Sequence, residues 1–351
     1  MKFTNFIPDY HHIVNAAKNI EPERVPLYEH NISAKIMEPL LGKSFANLID
    51  GDFNDRKEYF KTYCSFFKEM GYDTVTFEGC IGEAMPGSGA LGGHKPGVIK
   101  TREDFERYPW EDIPRLFFER YAESFDLIGE FLPEGMKAIG GPGNGVFECV
   151  QDVVGYESLC YISVDDEELY RDLFAAVGDM MFAIWTEFLK RYSSIYCVCR
   201  FGDDLGFRTN TLVSAEDIRK LIIPQYARII EAVHNSSRPF LLHSCGKIFN
   251  VMDDLIDIAK IDAKHSNEDQ IAAFTEWVER YGSRIGNFGG IDTDHLCRKE
   301  PEEIKQLVAG VMSACKGHGG FALGSGNSIP DYVDPQRYLT MVETARSLRG
   351  D

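Results

Sequence analysis

The sequence lacks any run of about 18 consecutive apolar residues, the length that a membrane-spanning helix needs, so it predicts no membrane span. Residues 1–5 also lack the apolar core of a secretory signal peptide. These two absences favour a cytoplasmic protein without a membrane as partner.

Positive charge is scarce as well. Lys and Arg number 37 against 55 Asp and Glu, which leaves a net charge of −18. Nucleic acids and anionic membrane surfaces are bound through basic patches, so this balance argues against both as partners. It also disfavours a substrate with many negative charges.

Several familiar signatures are missing. The nine cysteines are odd in number and scattered, unlike the disulfide framework of a small secreted domain, so we expect core thiols or metal ligands. No GxSxG elbow of a serine hydrolase is present. The glycine-rich residues 140–145 lack the lysine of a phosphate-binding loop.

The chain has 351 residues, in which short apolar runs alternate with helical patterns about eight times. This alternation predicts a single (β/α)8 TIM barrel over residues 1–351, with an open doubly wound sheet as the alternative. Residues 1–20 form an N-terminal extension, and residues 84–130 form a long inserted loop after the second strand. The predicted strands are residues 25–28, 74–77, 137–140, 195–199, 239–242, 261–264, 285–288 and 321–323.

Apolar residues at three- and four-residue spacing predict helices between these runs, most clearly over residues 216–235. Ser214 precedes that helix as a candidate N-cap, and Pro224 should kink or divide it.

Polar residues cluster where the predicted strands end. In a (β/α)8 barrel the active site is built from the carboxyl ends of the strands, so these residues are candidates for a site. They are Glu29, His30, Glu78, Asn144, Asp203, Asp204, His243, Cys245, His265, Asp292 and Ser325.

His243 and Cys245 are the sharpest pair among them. Residues i and i+2 of a strand point to the same face, so their imidazole and thiol can share one zinc ion or form an ordinary structural pair. The adjacent acids Asp203 and Asp204 fit metal binding, substrate polarisation or the orientation of a histidine, and equally an N-cap beside a solvated acid. His265 fits a ligand, an acid–base group or a wall residue.

Residues 202–214 read Gly-Asp-Asp-Leu-Gly-Phe-Arg-Thr-Asn-Thr-Leu-Val-Ser, and residues 222–226 read Ile-Ile-Pro-Gln-Tyr. Residues 241–248 follow as Leu-Leu-His-Ser-Cys-Gly-Lys-Ile. Together they resemble the uroporphyrinogen decarboxylase superfamily over about residues 137–345. The resemblance implies a (β/α)8 barrel that is either a decarboxylase or a corrinoid-dependent methyltransferase.

The decarboxylases of that superfamily carry an arginine-rich loop after the first strand, where this chain has Tyr28-Glu29-His30-Asn31. The methyltransferase branch includes zinc enzymes with an H-x-C pair, which His243 and Cys245 match. Their later cysteine corresponds to Ser325 here, which argues against a thiol-methylating activity. The resemblance therefore implies that a carboxylate, Glu78, Glu29 or Asp204, completes the zinc site.

On this basis we predict a zinc-dependent methyltransferase that moves a methyl group between a small molecule, such as a methyl ether, and a corrinoid (cobalamin) carried by a partner protein. A lyase without metal, or a barrel that binds a corrinoid or small ligand without turnover, is the alternative. A homodimer is compatible with the sequence. The predicted residues are His243, Cys245 and Glu78 for the metal, Asp204, His265 and Glu29 for catalysis, and Asn144, Asp203, Asp292 and Ser325 for the substrate.

Overall fold

A computed structural model describes residues 6–93 and 95–351, and the predicted α/β architecture is confirmed in them. Over these residues the chain forms one parallel sheet of seven strands, ordered β1 to β7 as in the sequence. Such a curled sheet with helical connections is typical of a TIM-like fold. The strands are β1 Thr74–Cys80, β2 Lys137–Gly143, β3 Tyr196–Gly202, β4 Phe240–His243, β5 Ala263–His265, β6 Gly286–Ile291 and β7 Phe321–Ser325.

The predicted strand over residues 25–28 is reduced to a single bridge, in which Leu27 pairs with Leu323 of β7. Leu323 N donates to Pro26 O at 3.0 Å, and Tyr28 N donates to Leu323 O at 2.9 Å. Proline has no N–H for a ladder. On the side of β1, the hydroxyl of Thr76 donates to Glu29 O. The segment thus lies between β7 and β1 without forming an eighth strand.

The predicted helices are confirmed, with Pro224 near the start of a new helix after a π-helical turn. Ser214 Oγ accepts the N–H of Asp217 at 3.0 Å, as expected for an N-cap. Within the described part of the chain, none of the helices combines the length and apolarity needed to cross a membrane. The helices are α1 His11–Ala17, α2 Ala34–Leu41, α3 Phe53–Met70, α4 Arg102–Arg107, α5 Ile113–Phe131, α6 Val146–Val154, α7 Tyr156–Asp165, α8 Glu167–Tyr192, α9 Ala215–Asp217, α10 Ile223–Asn235, α11 Met252–Asp254, α12 Phe274–Tyr281, α13 Thr293–Arg298, α14 Pro301–Cys315 and α15 Pro335–Arg349.

The segment after β1 differs from the predicted loop. Its second half is α5, a 19-residue helix that begins with a proline in its first turn and buries one face. Its glycine-rich half lies against α6, where Asp152 Oδ1 accepts the N–H groups of Gly89 and Leu91 at 2.8 and 3.0 Å. Gly97 approaches Val154 so closely that a Cβ would lie 2.0 Å from its carbonyl oxygen. The described residues of the insertion therefore form a segment that contains a helix and packs on α6.

Helix α1 closes the sheet at the amino ends of its strands. Ile13, Ala16 and Ala17 of α1 are buried against residues of the strand interior. A Cβ on Gly286 would lie 2.2 Å from Ala16 O, so the helix packs directly on the strand. Because this end is filled, the carboxyl ends of the strands are left for a site.

Candidate active site

Arg200 of β3 is the central side chain at the carboxyl ends of the strands, and it is fully buried. Its Nη1 donates to Tyr28 Oη at 2.8 Å and to His30 O at 2.8 Å. Its Nη2 donates to Glu78 Oε2 at 2.5 Å. Burial alone would lower the pKa of the guanidinium. The interactions with Glu78 and Tyr28 outweigh burial, so the pKa lies above its usual value. Arg200 is thus a permanent buried cation whose charge Glu78 balances.

The hydrogen-bond partners of His265 determine where its proton lies. Its Nε2 is 3.0 Å from Ser325 O, and because a carbonyl oxygen only accepts, Nε2 carries the hydrogen. Burial lowers the pKa of His265 to about 3, so the ring is neutral and Nδ1 has a lone pair. His243 Nδ1 lies 2.7 Å from His265 Nδ1 and must therefore donate a hydrogen bond to it.

Burial also lowers the pKa of His243 well below its usual value, so this ring is neutral too. Because its hydrogen lies on Nδ1, His243 Nε2 carries a lone pair. Cys245 Sγ lies 3.4 Å from this nitrogen, and Asp204 Oδ1 lies 3.7 Å from it. The three atoms all lie within 4.8 Å of one another. Imidazole nitrogen, cysteine sulfur and carboxylate oxygen are the donors that Zn²⁺ prefers, so this group fits a zinc ion.

Cys245 is placed to act as a thiolate only with a cation beside it. Burial raises the pKa of its thiol well above the usual value, and Asp204 raises it further. A bound metal ion reverses that preference, because a coordinating thiol is deprotonated. The sulfur already accepts a hydrogen bond from Asn327 Nδ2 at 3.2 Å, and Ser266 Oγ lies 3.5 Å from it.

A second cluster, formed by His30, His243 and His265, is less suited to a metal ion. His30 Nδ1 lies 2.6 Å from Arg200 Nη1 and accepts its hydrogen bond. The Nδ1 atoms of the other two histidines are bonded to each other. His30 stacks on His243 with ring centroids 3.8 Å apart. These contacts orient the His243 ring and use the lone pairs that a second metal would need.

Glu78 was predicted as the third metal ligand, but its carboxylate is bound to Arg200 and lies 3.9 Å from His30 Nε2. Asp204 lies beside His243 and Cys245 instead. The strand register explains this, because Gly202 of β3 pairs with His243 of β4. Asp204 follows Gly202 by two residues, as Cys245 follows His243.

Glu29 and Ser325 lie together, outside the group formed by Asp204, His243 and Cys245. Ser325 N donates to Glu29 Oε1 at 3.0 Å, and the Ser325 hydroxyl contacts Glu29 Oε2. Glu29 is fully buried, and burial raises its pKa to about 8, against the lowering effect of Ser325. At neutral pH this acid is therefore protonated.

The raised pKa of Glu29 predicts a stability that depends on pH. Between pH 4.5 and about 8 the unfolded chain releases this proton while the folded protein keeps it, so stability falls as pH rises. Burial, together with the nearby charge of Glu29, raises the pKa values of Tyr28, Tyr72 and Tyr338, so these three side chains stay neutral in this range. Urea unfolding of wild type should lose free energy from pH 5 to pH 8 relative to Glu29→Gln; parallel pH profiles would contradict this.

The remaining predicted substrate residues hold backbone in place. Asp203 accepts the N–H groups of Phe147 and Glu148 at 2.9 and 2.8 Å, as an acid does at the start of a helix; burial raises its pKa to about 7. Asn144 Oδ1 accepts the N–H of Gly82 at 3.2 Å, and its Nδ2 donates to Glu148 Oε2 at 3.0 Å. Asp292 accepts the N–H of Asp294 at 2.8 Å and begins α13. A role of these side chains in substrate binding stays a prediction.

Comparisons with known proteins agree with this architecture. A family model described as uroporphyrinogen decarboxylase (URO-D) matches residues 91–348. The chain is similar to the solved structure of a methyltransferase from Methanosarcina mazei, with 15% identity, a TM-score of 0.70 and coverage of 96% of this chain and 98% of that one. It is also similar to a proposed vitamin-B12-independent methionine synthase from Listeria monocytogenes, with 14% identity, a TM-score of 0.51 and coverage of 99% and 100%. A search of curated proteins finds no match.

Proposed function

The chain belongs to the uroporphyrinogen decarboxylase family, and from this premise we propose that it is a zinc-dependent methyltransferase. It would move a methyl group between a small molecule and a corrinoid carried by a partner protein. The observation that carries the proposal is the group formed by His243, Cys245 and Asp204, whose donor atoms all lie within 4.8 Å of one another.

Three protein donors around one point are typical of a catalytic zinc site, which keeps its fourth position for water or substrate. The side chain of Asp204 is 43% exposed, whereas that of His243 is only 6% exposed. A substrate would therefore reach the group from the side of Asp204, which is open to solvent. When bound, zinc would act as a Lewis acid that lowers the pKa of a coordinated hydroxyl, phenol or thiol.

The chain's own residues prepare this position. His265 holds the proton on His243 Nδ1, so that Nε2 faces the site without a hydrogen. Asp204 Oδ1 accepts the N–H of Cys245 at 2.9 Å, which ties the two ligand-bearing loops together. His30 Nε2 carries a hydrogen because Nδ1 accepts from Arg200. That N–H can donate to a polar group of the substrate beside the zinc position.

A decarboxylase without metal is disfavoured by the state of Arg200 and Arg208, the two arginines that flank Asp203 and Asp204 in the sequence. Arg200 is fully buried and its charge is already met by Glu78. Arg208 is exposed in the loop after β3. A polycarboxylate needs several accessible cations, and these two residues do not supply them.

The proposal predicts methyl transfer by the zinc-loaded protein. Mixing it with a corrinoid protein reduced to Co(I) and a panel of methyl ethers and other methylated compounds should shift the corrinoid absorption, because the methyl group changes the cobalt's ligand and oxidation state. His243→Ala should abolish the shift. No shift with any donor argues against the transfer, and corrinoid or ligand binding without turnover would indicate the non-catalytic alternative. Turnover of a carboxylated tetrapyrrole by metal-free protein would indicate a decarboxylase.

A further inference from the structure

The sulfur of Cys245 has a hydrogen-bond donor from an unexpected part of the chain. Asn327, in the loop after β7, directs its amide Nδ2 at the sulfur from 3.2 Å. The orientation of the amide follows from its other end, because Asn327 Oδ1 accepts the N–H of Ser328 at 2.8 Å. The group that faces the sulfur is therefore the NH₂.

A buried chain of contacts holds this loop. The hydroxyl oxygen of Ser325 lies 2.5 Å from Asn327 O and in contact with Glu29 Oε2. Each close oxygen–oxygen contact needs a hydrogen, and a backbone carbonyl has none to give. Ser325 has one hydroxyl hydrogen, which goes to Asn327 O. The other hydrogen must come from Glu29, in agreement with its pKa of about 8.

We propose that Glu29, Ser325 and Asn327 form a positioning unit that holds the Asn327 amide on the Cys245 sulfur and so strengthens metal binding. This inference rests on the proposed zinc site. A hydrogen bond to an ionised acceptor is about twice as strong as one between neutral groups, so the amide favours the thiolate over the thiol. Ser325 then has a role of its own at the position where the resemblance implies a third cysteine ligand: it holds Asn327 instead of binding the metal.

The unit predicts a defined set of zinc affinities, measured by chelator competition. Asn327→Leu removes the donor at similar size and should weaken zinc binding about 10-fold, the lower end for residues that orient ligands. Ser328→Ala, which changes the next side chain of the loop, is the matched control and should bind as wild type does.

Glu29 provides a second and independent comparison. In Glu29→Gln the amide oxygen can accept the N–H of Ser325 while the NH₂ donates to its hydroxyl, as the protonated acid does. This variant should keep the zinc affinity of wild type, whereas Glu29→Ala should lose as much as Asn327→Leu. The charge-transfer absorption between Cys245 and substituted Co²⁺ should shift in Asn327→Leu and Glu29→Ala, a change that a loss of packing alone would not produce.

The outcomes separate this inference from the proposed function. Wild type without zinc or Co²⁺ binding would overturn both. Wild type that binds zinc, with Asn327→Leu within twofold of it and an unchanged Co²⁺ spectrum, would overturn the positioning unit alone. Should Asn327→Leu fail to fold, equal zinc affinities in Glu29→Gln and Glu29→Ala would overturn it as well.

Discussion

Replacement of His243 or Cys245 by alanine should reduce bound zinc from about one ion per chain to nearly none, because a site with three protein ligands does not keep the metal on two. In the proposed site Cys245 would supply a negative charge that compensates the cation, and His243 would supply the lone pair of Nε2, because its hydrogen lies on Nδ1 and is donated to His265. Elemental analysis of the purified proteins measures the loss directly.

The controls for this experiment come from the same chain. His234 is paired with Asp262, away from the group, and Cys160 is an exposed free thiol. His234→Ala and Cys160→Ala should keep wild-type zinc, since neither belongs to the ligand group. Zinc retained in both His243→Ala and Cys245→Ala would refute the ligand assignment, and metal-free wild type would remove the basis for it.

The two ligands that the sequence predicted, His243 and Cys245, share a strand face through the alternation of side chains, which needs no tertiary information. Asp204 could not be assigned from the sequence in the same way. Its position beside Cys245 depends on the register between β3 and β4, in which Gly202 pairs with His243. Register between parallel strands is set by packing over the whole sheet, so the sequence leaves Glu78, Glu29 and Asp204 open, and the predicted ligand Glu78 lies with Arg200 instead.

Arg200 shows a different limit of sequence reasoning. An arginine inside the otherwise apolar run of β3 signals a buried charge that must be paired, but the sequence does not name its partners. Those partners, Tyr28, His30 and Glu78, come from two segments far from β3 in sequence. Asn327 was missed for a related reason, because its contact with Cys245 depends on how the loop after β7 folds back over the site.

The fold itself was easier to predict than its irregular parts. Seven of the eight predicted strand positions form strands, since each is a short apolar run followed by polar residues. Residues 25–28 carry the same pattern, yet Pro26 removes an N–H that a ladder would use. Residues 113–131 form a helix where the sequence predicted a loop, because a glycine-rich stretch precedes them. The buried face of this helix includes Phe117, Phe125 and Ile128.

The largest loss of stability is expected for Arg200→Met. This change removes a buried cation and leaves Glu78, Tyr28 and the carbonyl of His30 without their donor. Breaking a buried ion pair by removing one partner costs about 3–5 kcal/mol. Urea unfolding at neutral pH measures the difference in free energy, and a loss below about 1 kcal/mol, which is typical of an exposed ion pair, would contradict this prediction.

Two further substitutions show whether geometry or charge accounts for that loss. Arg200→Lys keeps the charge, but one ammonium group cannot replace a guanidinium that donates from two nitrogens in different directions. We therefore expect it to be destabilised as well, though less than Arg200→Met. Glu78→Gln keeps an acceptor for Arg200 Nη2 and removes only the charge. If Arg200 instead served to bind a substrate carboxylate, all three variants would fold as stably as wild type and lose only substrate affinity.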